Sequence, residues 1–314
     1  MKYTFLVPSY KAKYFEEALG SILGQTFADF SVIVSDDCSP EDLKSIVDKF
    51  NDPRVTYRRN EKNIGAEHLV DHWNMLLGLT DDKYIIMASD DDIYAPEYLE
   101  EMDRLVSAHP DMSVFRPRVC LVEEDGREFW REKVSFDNEI LDRRTLLSLV
   151  ARERLNSGLP QFVFNRKNLM EIGGFVNFPL AWFSDDATVA LLSENGLAVS
   201  NRHLLSFRHS GLSISTKKAV KRSDWSMKLL ASDRYARMMS GMFGSPDDSG
   251  LLEEIFNKAR KIAIQLLNDA DFLPFVEMMG YIRSLKSPLY PLSWRVRRLI
   301  GRPYHKILSV FKKK

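Results

Sequence analysis

The first 122 residues alternate between two hydrophobic periods. Short apolar runs typical of β-strands lie at residues 3–8, 30–35, 54–58, 84–88 and 112–122. Between these runs, apolar residues recur at the spacing of one face of an amphipathic helix. Such faces span residues 15–23, 43–50, 69–77 and 99–106. Strands that alternate with amphipathic helices predict an α/β fold, in which helices flank a mostly parallel sheet.

The pattern changes in the second half of the chain. Residues 125–160 have no clear period, and the next strand is predicted at residues 161–165. A tight turn at Gly173-Gly174 and a helix over residues 186–194 follow. Beyond about residue 215 no strand pattern remains, and helices are predicted at residues 224–242, 250–268 and 271–285. We therefore expect a domain boundary near residue 215.

The composition is that of an ordinary globular protein, with 45% hydrophobic and 28% charged residues. The two cysteines, Cys38 and Cys120, suggest no disulfide framework and favour a reducing compartment. The apolar N-terminal run stops at Pro8, and no later run approaches the roughly 18 residues of a membrane-spanning helix. We expect a cytoplasmic protein, either soluble or peripheral on the inner face of the cytoplasmic membrane.

Charge is distributed unevenly along the chain. All 44 acidic residues lie at or before Glu277, whereas ten of the 44 basic residues follow it. Residues 288–314 combine this basic charge with apolar residues such as Trp294, which predicts an amphipathic segment on an anionic membrane surface. We expect no nucleic-acid partner, because no recognition module accompanies the tail.

Two acidic clusters lie where predicted strands end. Asp36 and Asp37 follow the second strand, and Asp90, Asp91 and Asp92 follow the fourth. In parallel α/β sheets, ligands bind beyond the carboxyl ends of the strands. Three adjacent carboxylates are costly to desolvate unless cations pair with them, and a helix N-terminus would account for only one or two. The triplet therefore favours a divalent cation, Mn²⁺ or Mg²⁺, held by carboxylates and substrate phosphates.

The Asp36–Asp37 pair and a third acidic motif each have two interpretations. Asp36 and Asp37 either contact a nucleoside or belong to the start of the next helix. In Ser184-Asp185-Asp186, one residue caps the following helix, which leaves an aspartate free to act as a general base.

The sequence lacks the usual zinc and phosphate motifs. His68 and His72 are spaced i, i+4 as zinc ligands are, but the HExxH order and an evident third ligand are absent, which favours a helix-surface pair. No GxxxxGK[ST] motif occurs, and no GxGxxG motif follows the first strand. Bound phosphates would then be neutralised by metal rather than by a glycine loop.

Six segments occur in order along residues 3–215, and each carries a short motif. They read FLVPSY, EEALGSILGQTFADFSVIVSDDCSPED, RRNEKNIG, SDDDIYAPEYLEEM, IGGFVNFPLAWFSDDATVALLSENG and FRHSGLSIS. Each motif is weak alone, but together they resemble the inverting glycosyltransferases of family 2, which have the GT-A fold. The resemblance implies a metal-dependent transfer of a sugar from a nucleoside diphosphate sugar to a hydroxyl group. Uridine diphosphate is the expected nucleotide, and a glycan or lipid-linked molecule of polysaccharide biosynthesis is the expected acceptor.

The resemblance also implies a role for individual residues of this sequence. The donor nucleotide would contact Pro8, Tyr10, Asp36, Asp37, Asn63, Gly65 and Asp90. The metal would be held by Asp91, Asp92 and His209. The catalytic residues would be Asp186, as base, and Asp185. Trp182 would lie on the acceptor side. The catalytic domain would span residues 1–215, with a donor half at about 1–122 and an acceptor half at about 123–215. Residues 216–314 would form a helical region that ends in the basic tail.

The acidic triplet departs from the family pattern, which reads Asp-x-Asp-Asp. In that register Ser89 replaces the first aspartate, whereas reading Asp90–Asp92 as the motif shifts it by one residue. Asp91 belongs to the motif in both registers. Two other functions stay open. A sugar nucleotidyltransferase would need a basic, glycine-rich phosphate loop at the first strand, and a non-catalytic scaffold would bind nucleotide without turnover.

Overall fold

The computed structural model describes most of the chain, namely residues 2–211, 222–269, 272–291 and 293–294. Internal contacts divide the chain into two compact units. The first unit comprises Met1–Asn177 and Ser184–Lys217, and the second comprises Phe178–Phe183 and Lys218–Lys314. The predicted division of function near residue 215 stays a prediction.

The first unit is built around one mixed β-sheet. Its described strands are β1 (Tyr3–Ser9), β2 (Phe30–Asp36), β3 (Val55–Arg59), β4 (Tyr84–Met87), β5 (Ile93–Tyr94), β6 (Val114–Val122), β7 (Glu128–Arg131), β8 (Ile140–Leu141), β9 (Val163–Asn165) and β10 (Leu197–Arg208). The order across the sheet is β3-β2-β1-β4-β9-β6-β10-β5, with β7 beside β6 and β8 beside β10. Strands β3, β2, β1 and β4 are parallel. Strand β9 is antiparallel to β4 and β6, and β10 is parallel to β6.

The helices of the first unit connect these strands. They are α1 (Phe15–Leu23), α2 (Leu43–Phe50), α3 (Leu69–Leu77), α4 (Tyr98–Ala108), α5 (Arg143–Ala151), α6 (Arg166–Glu171) and α7 (Ser184–Leu192). Short 3-10 helices occur at Ala66–His68 and Leu159–Gln161. The predicted α/β fold, a sheet flanked by helices, is confirmed. Each predicted strand and helix up to residue 122 has a counterpart within a few residues.

The core explains why the N-terminal half was readable from sequence. Strand β1 lies between β2 and β4, and its side chains of Phe5 and Val7 are fully buried. Aromatic rings pack edge to face across this core, such as Phe5 on Phe30 with ring centroids 5.7 Å apart. A strand buried on both faces shows a continuous apolar run, which is the pattern of residues 3–8.

The long strand β10 has no counterpart among the predicted strands. The exposed Asn201 and Arg202 interrupt its apolar pattern, and its register against β6 shifts between Val199 and His203. A strand with such an irregularity keeps neither period over its whole length. This strand nevertheless carries Arg208, Cα partner of Val122 in the β6 ladder, to the edge of the sheet where the acidic clusters lie.

The second unit is helical in its described part. It contains α8 (Arg222–Met242), α9 (Ser249–Asp269) and α10 (Phe272–Ser284), with 3-10 helices at Pro179–Ala181 and Pro246–Asp248. These helices match the three predicted helical stretches. Within the described residues, no helix combines the length and apolar character that a membrane crossing requires. Of the predicted membrane-binding segment, residues 288–314, the structure describes only residues 288–291, Ser293 and Trp294, and the rest lies outside the described residues.

Candidate active site

The carboxyl ends of three parallel strands bring the predicted donor residues together. Strand β1 ends at Ser9, whose carbonyl accepts a hydrogen bond from the Asp37 amide at 2.9 Å. The amides of Tyr10 and Lys11 both donate to one carboxylate oxygen of Asp90, each at 2.9 Å. The chain after β1 is therefore tied to the chain after β2 and to the chain after β4. Pro8 is half-buried at the end of β1, whereas Tyr10 is exposed.

Asp36 is an internal residue of this site. Its carboxylate is fully buried and accepts hydrogen bonds from the Ser39 amide at 2.7 Å and from the Tyr57 hydroxyl at 2.5 Å. The Arg59 guanidinium forms an ion pair with the same carboxylate. Burial, followed by the hydrogen bond to Asp36, raises the pKa of Tyr57 to about 12. Asp36 therefore ties β2 to β3, and sequence reasoning missed both of its β3 partners.

Asp37 organises the loop that contains Asn63 and Gly65. Its carboxylate accepts hydrogen bonds from the Asn60 and Asn63 side-chain amides, both at 3.0 Å, and from the backbone amides of Ile64 at 2.8 Å and Gly65 at 3.1 Å. Gly65 has φ of +74°, a left-handed conformation that favours glycine. The Asn-x-Gly motif is thus a loop that wraps an aspartate at the end of β2.

A buried histidine, His72, contacts Asn60, which also donates to Asp37. His72 is 1% exposed, and its Nε2 lies 2.9 Å from the Ser35 hydroxyl and 3.4 Å from the Asn60 side-chain amide. Burial lowers the pKa of His72 below its ordinary value, against the opposing charge of Asp37. His68 is instead exposed and contacts Asp71 at 3.0 Å. The two histidines therefore have different partners.

The three aspartates after β4 have different surroundings. Asp92 is 1% exposed and accepts hydrogen bonds from the Ser89 hydroxyl at 2.5 Å and the Arg208 amide at 2.8 Å. Burial, followed by the charge of Asp91, raises the pKa of Asp92 to about 8. Asp91 accepts a hydrogen bond from the Ser210 hydroxyl at 2.9 Å. Burial raises the pKa of Asp90, although Lys11 opposes that shift.

Two basic residues counter this negative charge. The Lys11 ammonium lies 3.2 Å from Asp90 and 3.4 Å from Asp91. Burial alone would lower the pKa of Lys11, but these two carboxylates raise it above its ordinary value. The buried Arg208 guanidinium donates to the Asp91 carbonyl at 2.9 Å and pairs with Glu17 at 2.6 Å. A lone basic residue in a strand gives no local signal of this role, so sequence reasoning missed Arg208.

The predicted metal-binding side chains fit a divalent cation only in part. Among the described residues, no three His, Cys, Asp or Glu side chains form a group that could hold a metal ion. The predicted ligands Asp91, Asp92 and His209 are therefore not brought together. Asp92 bonds to Ser89 and Arg208. His209 is exposed, and its ring lies 6.0 Å from that of Phe129. Asp90 and Asp91, however, already hold a cation, the Lys11 ammonium. Two carboxylates completed by substrate phosphates are the usual protein site for Mg²⁺.

The predicted base lies at the start of α7. Asp186 is 5% exposed, and the Ser157 hydroxyl donates a hydrogen bond to its carboxylate. Asp185 is half-buried in the same first turn of the helix. Carboxylates in the first turn are stabilised by the helix dipole, which favours an ionised group there. Ser157 lies in the part of the chain for which no period was found.

Trp182 belongs to the helical unit. The Lys228 ammonium of α8 lies 4.4 Å from the centroid of the Trp182 ring. Burial lowers the pKa of Lys228, while Asp224 opposes the shift. Leu180, Ala181 and Phe183, which flank Trp182, all have positive φ, between +56° and +65°. The segment before the predicted base is therefore strained, and strain of this kind is concentrated at functional sites.

Known glycosyltransferases match this chain in sequence. The model of glycosyl transferase family 2 matches residues 4–175. An uncharacterized glycosyltransferase of Haemophilus influenzae is 28% identical over 173 residues, which cover 54% of this chain and 55% of that protein. The poly(ribitol-phosphate) beta-N-acetylglucosaminyltransferase TarS of Staphylococcus aureus is 29% identical over 113 residues, which cover 35% of this chain and 19% of that protein.

The fold has a counterpart among solved structures. The crystal structure of Staphylococcus aureus TarS 1–349 in complex with UDP-GlcNAc has a TM-score of 0.63 and 15% identity, and the match covers 96% of this chain and 92% of that chain. This likeness shows the GT-A fold. The matched stretches span about half the length or less of the two curated relatives. Because the family model matches more than half of the sequence, this chain belongs to glycosyl transferase family 2.

Proposed function

We propose that this chain is an inverting glycosyltransferase that moves a sugar from a UDP-sugar to a hydroxyl group of a glycan or lipid-linked acceptor in polysaccharide biosynthesis. The observation that carries the proposal is that the segment after β1 joins the two acidic positions. The Ser9 carbonyl accepts from the Asp37 amide, and the amides of Tyr10 and Lys11 donate to Asp90. A nucleoside and a diphosphate are neighbouring parts of one donor, and these two acidic positions are neighbours at one sheet edge. The UDP-GlcNAc that TarS binds, and the polymer in that protein's name, support this donor and acceptor class.

The donor half of the site would bind and orient the nucleotide. Asp37 holds the Asn63–Gly65 loop in place, while Pro8 and the exposed Tyr10 offer apolar surface at the end of β1. Asp36 would act indirectly, since its carboxylate is occupied by Ser39, Tyr57 and Arg59. A loop already fixed before the nucleotide arrives loses little entropy on binding.

Asp91 and Asp90 would hold a divalent cation, Mn²⁺ or Mg²⁺, together with the diphosphate oxygens. Such a cation neutralises the charge that develops on a diphosphate leaving group. Lys11 forms ion pairs with the same two carboxylates and offers a second positive charge close to the proposed cation position. His209 stays a proposed ligand, and Asp92 is proposed as a support of the site through Ser89 and Arg208.

Asp186 would accept the proton of the acceptor hydroxyl as that oxygen attacks the anomeric carbon. The Ser157 hydroxyl, which donates to one oxygen of this carboxylate, orients the other oxygen. Oxygen–carbon bond formation and loss of the nucleoside diphosphate occur on opposite faces of the sugar, which inverts the anomeric configuration. Asp185 would complete the acidic pair, and Trp182 would contact the acceptor. We assign the catalytic domain to residues 1–215 and an accessory role to residues 216–314.

Calorimetric titration with UDP, GDP, CDP and dTDP, each with and without Mn²⁺, tests the nucleotide site. We expect UDP to bind more tightly with Mn²⁺, and turnover with radiolabelled UDP-sugars then identifies the donor. A folded protein that binds none of the four nucleotides would contradict the proposal. Binding of UDP without any sugar transfer to acceptors from a bacterial envelope extract would favour a scaffold.

We also propose that the basic tail attaches the protein to anionic membranes. The support is its sequence, since residues 295–314 hold eight lysines and arginines and no acidic residue. Each basic residue near an anionic surface contributes about 1 kcal/mol at most. Sedimentation with liposomes of phosphatidylglycerol, before and after deletion of residues 295–314, tests this. Equal sedimentation of both proteins would refute the proposal, while liposomes of phosphatidylcholine alone provide the control.

A further inference from the structure

Lys11 is placed differently from an ordinary surface lysine. Its side chain is only 27% exposed, and its ammonium lies between the carboxylates of Asp90 and Asp91, at 3.2 and 3.4 Å. The backbone amide of the same residue donates to Asp90 at 2.9 Å. Lys11 is therefore fixed to the acidic pair at both its backbone and its side chain.

The two carboxylates are themselves held in place. Asp90 accepts a second amide, that of Tyr10, and Asp91 accepts the Ser210 hydroxyl on the oxygen that faces Lys11. The neighbouring Arg208 cannot take over the role of Lys11, because its guanidinium is bonded to the Asp91 carbonyl, the Glu124 carbonyl and Glu17. Of these two basic residues, Lys11 is the one whose charge can rotate away from the acidic pair while its backbone stays bonded to Asp90, since a lysine side chain has four rotatable bonds.

We propose that Lys11 is a positioning residue that prevents free divalent cations from binding to the Asp90–Asp91 pair. When the donor binds, the Lys11 ammonium moves to the diphosphate. A cation that arrives alone must break two ion pairs, and Lys11 then gains no new partner. A cation that arrives with a nucleoside diphosphate brings phosphate oxygens, which give Lys11 new acceptors. The second half of this proposal rests on the proposed function, whereas the first half does not.

Calorimetric titration with Mn²⁺ alone tests the first half. Lys11→Met removes the charge and keeps the length of the side chain. Lys13→Met is the matched control, because Lys13 pairs with the exposed Glu124 at 2.7 Å. We expect Lys11→Met to bind Mn²⁺ about tenfold more tightly than the wild type, as partly buried ion pairs of this kind allow, and Lys13→Met to be unchanged. Mn²⁺ affinities within twofold for Lys11→Met and the wild type would overturn the proposal.

Titration with UDP at saturating Mn²⁺ tests the second half. We expect Lys11→Met to bind UDP about tenfold more weakly than the wild type, because a charge-assisted contact with phosphate is lost. Unchanged UDP affinity in this variant would overturn the transfer of Lys11 to the diphosphate. Tighter Mn²⁺ binding in a protein that binds no nucleotide would refute the proposed function and confirm the closing role. If Lys11→Met does not fold in a thermal melt, Lys11→Gln takes its place in both titrations.

Discussion

The aromatic ring of Phe183 stacks on that of Tyr235, with centroids 4.6 Å apart and planes inclined by 2°. Tyr235 is 1% exposed on α8, and Lys258 of α9 lies 5.8 Å from the centroid of Phe183. Phe183 has φ of +65°, which costs a residue with a side chain about 1 kcal/mol or more. The stack therefore stabilises a backbone conformation that the segment would otherwise avoid.

A double-mutant cycle between Phe183 and Tyr235 measures this coupling. We expect Tyr235→Ala to lower the free energy of unfolding by about 3 kcal/mol, as deletion of a buried aromatic ring does. In chemical denaturation, the coupling energy with Phe183→Ala should be about 1 kcal/mol. Tyr235→Phe, which keeps the ring, is the control and should cost much less than Tyr235→Ala. Additive effects of the two alanine substitutions would contradict the stacking argument.

Asp37→Asn should weaken the binding of UDP by at least about tenfold. The carboxylate accepts four hydrogen bonds from the loop. In asparagine, an NH₂ group that can only donate replaces one of the two accepting oxygens and faces N–H donors of the loop. Calorimetry on the folded variant measures the affinity. The matched control is Asp48→Asn, because Asp48 is an exposed partner of Lys44 on α2. Equal affinity in Asp37→Asn and the wild type would mean that the loop does not form the nucleotide site.

The alternating strands and helices of the N-terminal half were predictable, because the spacing of apolar residues along the sequence shows which side chains of each element are buried. Strands such as β1 and helices such as α1 show their period directly in the sequence. Strand direction does not, so the antiparallel pairing of β9 with β4 and β6 could not be read. The irregular β10 was missed for a related reason, since a bulge removes the period.

The candidate site was only partly predictable. The acidic clusters were visible because carboxylates after apolar strands are conspicuous. Their differences were not, since Asp36 and Asp92 are buried by partners that lie far away in sequence: Tyr57, Arg59 and Arg208. The sequence Asp90-Asp91-Asp92 does not indicate which of the three carboxylates faces solvent. Only the tertiary contacts separate Asp91 from Asp92.

Asp186→Asn should keep the binding of UDP and lose most sugar transfer. The amide retains the shape of the side chain but cannot take a proton, and general-base catalysis contributes about 10²- to 10⁴-fold. Turnover of a UDP-sugar with an accepted glycan measures the loss, and calorimetry with UDP serves as the check on folding. Asp185→Asn, one position earlier in the same helical turn, is the matched variant and should retain more activity. Near-normal transfer by Asp186→Asn would remove this residue as the base.

Ser157→Ala separates orientation of this base from its chemistry. The hydroxyl of Ser157 donates to Asp186 but is not the proton acceptor. We expect a smaller loss than in Asp186→Asn, about tenfold in kcat, because a hydrogen bond to a charged group contributes about 1.5 kcal/mol. A rate loss as large as that of Asp186→Asn would instead make Ser157 essential to the chemistry.

His72 should make the stability of the protein depend on pH below about 6.5. Its pKa is lowered by burial, so the unfolded chain takes up a proton near the ordinary value of 6.5 while the folded protein resists it. Stability is therefore complete above pH 6.5 and falls as the pH decreases towards the lowered pKa. At pH 5.5 the loss should reach at most about 1.4 kcal/mol. The physical cause is the burial of the imidazole, which is 1% exposed, because burial disfavours its charged form.

Denaturation with urea at pH 7.5 and pH 5.5 measures this dependence. The difference between the two pH values should shrink in His72→Gln, which cannot take up a proton. It should remain in His68→Gln, the matched control, because the side chain of His68 is 65% exposed. The comparison of differences, rather than of absolute stabilities, removes the cost of the glutamine itself and the titration of carboxylates common to all three proteins. Equal pH dependence in the wild type and His72→Gln would show that His72 is not held neutral beneath the Asp37 loop.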